Sequence, residues 1–131
     1  TYYPGIKANY CCADSMGSYV VDPEGYMYKC WNDVGVVKQA VGNVLYIDKP
    51  KPEMFMTNTH YMLWTPFDHQ ECVECNILPI CMGGCPYNGA MVHKKPECEK
   101  WKYNLEEVLK YTYLVKKDCK EDCSDNKCSC A

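Results

Sequence analysis

The sequence lacks arginine, long apolar runs and basic clusters. All 14 basic residues are lysine, against 17 Asp and Glu, and the formal net charge is −3. No lysine cluster is interleaved with aromatic residues in the way that marks a nucleic-acid surface. No run reaches the roughly 18 apolar residues that a transmembrane helix needs. We therefore expect neither a nucleic acid nor a membrane as a partner.

The length suits one domain with a tail. The 131 residues begin with Thr1 rather than Met, so we expect a segment of a longer protein, and the absence of a signal peptide says little about the compartment. Long aliphatic runs are few, so covalent or metal cross-links are expected to contribute part of the stability. We predict a cysteine-rich domain over 1–117 and a charged, cysteine-rich tail over 118–131.

Local patterns predict a small α+β fold with a β-hairpin, cysteine-rich loops and a C-terminal helix. Two segments rich in strand formers, 18–22 and 26–31, flank the residues Asp22-Pro23-Glu24-Gly25. Asp, Pro and Gly at these positions suit a type I turn that closes a hairpin. A further short strand is predicted over 44–48.

Two helices are predicted beyond the hairpin. The first covers 53–63, and its apolar face is expected to comprise Phe55, Met56, Thr59 and Met62. The second is expected to begin after Asn104 as its N-cap, with Glu107 completing a capping box, and to end near Lys116. Between them, residues 70–89 are predicted to form a loop with single helical turns.

The 12 cysteines are the most informative residues. In the loop, two residues separate Cys72 from Cys75, five separate Cys75 from Cys81, and three separate Cys81 from Cys85. A loop with this many thiols can surround a metal ion or a cluster, and Gly83-Gly84 lets the backbone approach where a side chain would collide. A disulfide scaffold and structural zinc are the alternatives. A zinc ribbon, however, needs a second close pair some fifteen to twenty residues further on.

The cysteines outside the loop extend the pattern. A cysteine at 11 or 12 is followed by Gly25 and, after four residues, by Cys30, and Cys98 follows the loop. This pattern resembles the SPASM domain, the C-terminal extension of many radical S-adenosylmethionine enzymes. The hairpin between the first two cysteines and the Gly-Gly-Cys-Pro sequence that ends the loop also match.

The resemblance implies two auxiliary 4Fe–4S clusters. The ligands of the second cluster would be Cys72, Cys75, Cys81 and Cys98. Those of the first cluster would be Cys30, Cys85 and one of Cys11 and Cys12. The family's usual Cys-x-Ala start favours Cys11, because Ala13 then stands in the matching position.

The fourth ligand of the first cluster stays open. Some members of the family carry another cysteine six residues upstream, but residues 1–10 contain none. The fourth iron could be open, or bound by the other of Cys11 and Cys12, or by a substrate thiol. It could also be bound by one of the tail cysteines Cys119, Cys123, Cys128 and Cys130.

The resemblance further implies the function. This chain would serve electron transfer and peptide positioning in a radical S-adenosylmethionine enzyme that matures peptides, by thioether formation or formylglycine-type oxidation. Its partners would be the barrel of the parent protein, where S-adenosylmethionine binds, and a peptide substrate that could contain cysteine. The chain lacks a Cys-x-x-x-Cys-x-x-Cys motif, so it should not cleave S-adenosylmethionine itself.

Other functions fit the same residues. One is a stand-alone ferredoxin-like electron carrier, and another is an interaction module stabilised by zinc or disulfides. Zinc is also expected as a misloaded metal in protein made in air. Because clusters need reduced thiols, we predict a cytoplasmic location.

Overall fold

The structure is a computed structural model that describes residues 4–122, with side chains described as far as Lys117. It is a small mixed α+β domain, as predicted. Three short antiparallel strands form one sheet in the order β1-β2-β3. The strands are β1 (Val20–Val21), β2 (Tyr26–Tyr28) and β3 (Gly42–Asn43). The α-helices are α1 (Pro52–Met62), α2 (Gln70–Val73), α3 (Leu78–Cys81) and α4 (Trp101–Asp122), and a π-helix covers Tyr87–His93.

The predicted hairpin is confirmed. The Gly25 amide donates to the Asp22 carbonyl at 3.0 Å, as a type I turn requires, and Val20 pairs with Tyr28. The Asp22 carboxylate then accepts from the Tyr26 amide at 2.8 Å and from the Tyr28 hydroxyl at 2.9 Å. Burial and this carboxylate raise the pKa of Tyr28 to about 12. The turn therefore also anchors the strand that leads to Cys30.

The strand predicted over 44–48 was wrong. The third strand ends at Asn43, and a 3-10 helix, Val44–Tyr46, follows it. The Asn43 side chain accepts from the Leu45 amide at 2.9 Å and so caps this helix. A local side-chain bond of this kind competes with sheet pairing, which explains why the β-branched residues did not continue the strand.

Helix α1 was predicted within one residue at each end, but its buried face was wrong. The buried residues are Met54, Thr57 and Tyr61, whereas Phe55 and Met56 are 64% and 58% exposed. The Tyr61 hydroxyl donates to the buried carboxylate of Asp33 at 2.7 Å. This contact with the segment after Cys30 orients the helix, and it involves a residue 28 positions away in sequence.

The C-terminal helix begins earlier and ends later than predicted. It starts at Trp101, so Asn104 lies inside the helix rather than at its N-cap, and it continues to Asp122, past the predicted end of the domain at 117. Trp101 is buried against Ile77 and Cys81, and this packing stabilises the first turn. No helix in the described part of the chain is long and apolar enough to cross a membrane.

Two small apolar cores hold these elements together. The first core consists of Tyr28, Ala40 and Met54. The other consists of Ile77, Cys81 and Trp101, with Leu105 and Val108 of α4 packed against it. The second core thus contains a cysteine of the loop, so the loop is part of the packed structure.

Candidate metal centre

The cysteine-rich loop folds as single helical turns, as predicted. Cys72 lies in α2, Cys75 follows it, and Cys81 is the last residue of α3. The Cys75 amide donates to the Cys72 carbonyl at 3.0 Å, and the Cys81 amide donates to the Ile77 carbonyl at 3.0 Å. These backbone bonds hold the thiols on short, well-defined turns.

A left-handed turn at residues 82–84 brings a distant segment against the loop. Met82, Gly83 and Gly84 have φ values of 50°, 78° and 76°. A Cβ at Gly83 would lie 2.7 Å from the Pro66 Cβ, and one at Gly84 would collide with the Glu97 carbonyl oxygen. The Glu97 amide also donates to the Gly83 carbonyl at 3.1 Å. The predicted close approach is therefore confirmed, and it sets Cys98 beside the loop.

Four thiols lie around one cavity, and we name them the second thiol group. They are Cys72, Cys75, Cys81 and Cys98. The empty volume, including the open mouth, is about 390 Å³. Burial raises the pKa of Cys72, and the charges of Glu71 and of the three other thiols add to this effect. This is the set that the resemblance implied for the second cluster.

Lys102 faces the second thiol group from the first turn of α4. Its Nζ donates to the Cys98 Sγ at 3.5 Å. This hydrogen bond and the charges of Cys98 and Cys75 raise the pKa of Lys102. The helix thereby presents a positive charge to thiols that become negative when they bind a metal.

The other four described cysteines also influence one another, and we name them the first thiol group. They are Cys11, Cys12, Cys30 and Cys85. The charges of Cys12 and Cys85 act on both Cys11 and Cys30. Cys85 also lines the same groove as Tyr10, the residue before Cys11, so these two segments lie side by side. Burial is the largest cause of the raised pKa of both Cys11 and Cys30.

Cys11 and Cys12 have different surroundings. The Cys11 Sγ accepts from the Ala13 amide at 3.4 Å, and Ala13 itself is buried. Asp14 accepts from the Cys11 amide at 3.1 Å and completes a capping box on the 3-10 helix Cys12–Asp14. Cys12, in contrast, is exposed. The structure thus holds Cys11 in place more firmly than its neighbour.

An open groove runs between the two thiol groups. Cys85 of the first group and Cys98 of the second both line it, together with Gly84 and Tyr10. The Tyr10 hydroxyl donates to the Glu99 carboxylate at 2.5 Å, and burial with this bond raises the pKa of Tyr10. One cysteine of each thiol group therefore lines the same groove.

The thiols do not converge on a single point. Within residues 4–117, no set of three or more His, Cys, Asp or Glu side chains is close enough to hold one metal ion. All eight cysteines of the two groups are free thiols. Mononuclear zinc draws its four sulfurs to about 2.3 Å from one atom. A 4Fe–4S cluster likewise takes four Cys thiolates as its ligands.

Of the predicted extra ligands, only Cys119 falls within the described backbone. Cys119 lies on the backbone of α4, 18 residues after Trp101. At the rise of an α-helix this is about 27 Å along the axis, away from Cys98. Cys123, Cys128 and Cys130 fall outside the described residues.

Sequence reasoning missed two lysines, Lys29 and Lys102, and the pair formed by Asp33 and Tyr61. Of these four residues, only Lys29 could have been singled out from the sequence, because it directly precedes Cys30. Comparison with protein-family models, curated proteins and solved structures finds no match for this chain. Its function is therefore inferred from its residues and their geometry.

Proposed function

We propose that this chain is an auxiliary 4Fe–4S cluster domain of a radical S-adenosylmethionine enzyme that matures peptides. One observation carries the proposal: Cys72, Cys75, Cys81 and Cys98 lie around one cavity. These thiols come from segments separated by up to 26 positions in sequence. Four thiolates are the usual ligand set of a 4Fe–4S cluster.

The second thiol group would bind one cluster, and the first thiol group the other. In the first group, Cys30, Cys85 and Cys11 are the proposed ligands, because the Cys11 Sγ is held by the Ala13 amide. Cys12 is exposed and directly follows Cys11 in sequence, so we retain it as the candidate fourth ligand. A substrate thiol at that position is the other arrangement that we retain.

Bound clusters would supply one-electron transfer, with potentials that depend on ligands, burial and hydrogen bonds. The chain's own residues would set these conditions. Cys81 is buried in the second core, and Cys98 accepts a hydrogen bond from Lys102. Trp31, directly after Cys30, is 75% exposed and offers an apolar surface for the barrel of the parent protein or for a peptide.

The first experiment measures iron, acid-labile sulfide and zinc in protein purified without oxygen. Two 4Fe–4S clusters correspond to about eight iron and eight sulfide per chain. Cys81→Ser and Cys30→Ser should each lower the iron content to about four per chain, because each removes a ligand from a different group. Cys119→Ser is the matched control and should leave the iron content unchanged.

Two results would contradict the proposal. One is stoichiometric zinc in the anaerobic preparation, and the other is a metal-free protein with its thiols paired. Iron that falls to zero in either single variant would contradict the division into two independent groups. The spectroscopic signal that remains in each variant should identify which cluster was lost.

A further inference from the structure

Lys29 is a buried lysine that directly follows β2 and directly precedes Cys30. Its side chain is 1% exposed. The Nζ donates to the Ser15 carbonyl at 2.5 Å and to the Ser18 carbonyl at 3.1 Å, and it lies 4.7 Å from the centre of the Tyr19 ring. The ammonium group is thus held on three sides by one loop, which begins at the cysteines of the first thiol group.

A buried ammonium group normally has an anionic partner. Transferring an uncompensated charge out of water is costly, even where carbonyl groups satisfy its hydrogen bonds. Among the described residues, no carboxylate lies within ion-pair distance of Lys29. Burial lowers the pKa of Lys29, and the nearby groups whose negative charge would oppose this effect are Cys12, Asp14 and Cys11. Two of these three groups are thiols, which are negative only when deprotonated or bound to a metal.

Lys29 also connects two of the three segments that carry the first thiol group. Its backbone follows β2 and precedes Cys30, while its side chain binds the loop that follows Cys11 and Cys12. Any movement of this loop relative to β2 would change the distance between Cys11 and Cys30. Lys29 therefore fixes the relative position of the segments that carry Cys11 and Cys30, and it also brings a positive charge to these segments.

We propose that Lys29 is the positioning and charge-compensating residue of the first metal centre, an anionic metal–thiolate site. This inference rests on the proposed function. A 4Fe–4S cluster with thiolate ligands carries net negative charge, and Lys29 would supply the buried positive charge next to it. Lys102 has a different relation to the second thiol group, since its Nζ contacts Cys98 at the exposed surface.

The test compares Lys29→Met, Lys29→Arg and the control Lys38→Met, an exposed lysine of the 3-10 helix Val37–Gln39. Each variant is purified without oxygen, its iron is counted, and its reduction potentials are titrated with electron paramagnetic resonance as the readout. Lys29→Met keeps most of the apolar stem but removes the charge and the donors. We expect it to shift one of the two potentials to a more negative value. Lys29→Arg should restore most of that shift, and Lys38→Met should change neither potential.

The outcomes separate this inference from the proposed function. Wild-type protein with about eight iron, together with unchanged potentials in Lys29→Met, would overturn the inference alone. Equal shifts of both potentials would also overturn it, because they would indicate a general structural effect. Wild-type protein without iron would overturn the proposed function and this inference together.

A second variant, Lys29→Gln, applies if Lys29→Met does not fold, as judged by circular dichroism. Glutamine keeps hydrogen-bond donors for the carbonyl groups but carries no charge, so it should shift the same single potential to a more negative value. Unchanged potentials in Lys29→Gln would then overturn the inference.

Discussion

Single residues determine how closely the segment that carries Cys98 approaches the cysteine-rich loop. Gly84 combines a left-handed backbone with a contact to the Glu97 carbonyl, and the next thiol after that carbonyl is Cys98. Gly35 has a similar φ of 83° but nothing within 4 Å of an added Cβ. The same substitution at the two glycines therefore distinguishes the cost of a left-handed backbone, which both share, from the cost of the collision, which arises only at Gly84.

Gly84→Ala should destabilise the protein more than Gly35→Ala. Both substitutions place alanine in the left-handed region, which costs about 1–2 kcal/mol. Only the first also forces the Glu97 segment away, and overpacking of this kind adds about 1–3 kcal/mol. Urea unfolding of anaerobically purified protein measures the difference, and the iron content should fall only in Gly84→Ala. Equal free energies of unfolding would show that the close contact is unimportant.

The thiols themselves predict a pH dependence. Burial raises the pKa of Cys11, Cys30 and Cys72 above the ordinary value of 9.0. A raised pKa leaves less thiolate below that pH, and the thiolate is the nucleophile. In metal-free, reduced protein these three cysteines should therefore react with iodoacetamide more slowly than in the same chain unfolded in urea. The difference should shrink as the pH rises above 9. Mass spectrometry of the alkylated peptides gives the rates, and equal rates in folded and unfolded protein would contradict the prediction.

At the scale of elements, α1 positions the segment that carries Cys30. The 3-10 helix Trp31–Asp33 follows Cys30, and its buried Asp33 binds the Tyr61 hydroxyl of α1. Burial raises the pKa of Asp33, and the hydrogen bond from Tyr61 opposes this rise. The hydroxyl therefore stabilises the negative form of a carboxylate that is largely shielded from water.

Tyr61→Phe should lower the free energy of unfolding by about 1–3 kcal/mol, because it leaves the buried carboxylate without its donor. The loss should be larger above the raised pKa of Asp33, where the carboxylate is negative, than below it, where the carboxyl group is protonated. Urea unfolding at two pH values gives the comparison. Tyr103→Phe, at a tyrosine that is 78% exposed, is the control and should have almost no effect. A loss that does not change with pH would mean that Asp33 is not the group affected.

The predictions for α1 and α4 failed where tertiary contacts competed with local pattern. The face of α1 was assigned from apolar residues, yet the helix turned Tyr61 inward to reach Asp33. The start of α4 was assigned from a capping pattern at Asn104, but the packing of Trp101 extended the helix by a turn. In both elements the decisive partner was distant in sequence, and local propensity carries no information about it.

At the scale of the whole molecule, the apolar cores are small for a chain of 131 residues. Among the described residues each core contains three buried residues, and Cys81 of the second thiol group is one of them. Small cores of this kind need additional cross-links, and metal binding supplies folding free energy when the site is absent from the unfolded chain. The proposed clusters would therefore stabilise the fold as well as carry electrons.

Removal of the metal should lower the midpoint of thermal unfolding. We expect iron-loaded protein to unfold at higher temperature than the same protein after treatment with a chelator and a reductant. Circular dichroism under anaerobic conditions gives the two midpoints. The single-group variants Cys81→Ser and Cys30→Ser should lie between these limits. A midpoint that is unaffected by the loss of iron would show that the apolar cores suffice by themselves.

The sequence by itself determined the features that depend on neighbouring residues or on residue type. The Asp22-Pro23-Glu24-Gly25 turn and the single turns of the cysteine-rich loop follow from short-range stereochemistry. Only the tertiary structure decided which thiols share a cavity, which face of α1 is buried and where α4 begins. It alone revealed the environment of Lys29, because burial and the distance to Cys11 and Cys12 depend on how the loop packs against β2. The physical reason is that these properties arise from contacts between distant segments, which form only when the chain is folded.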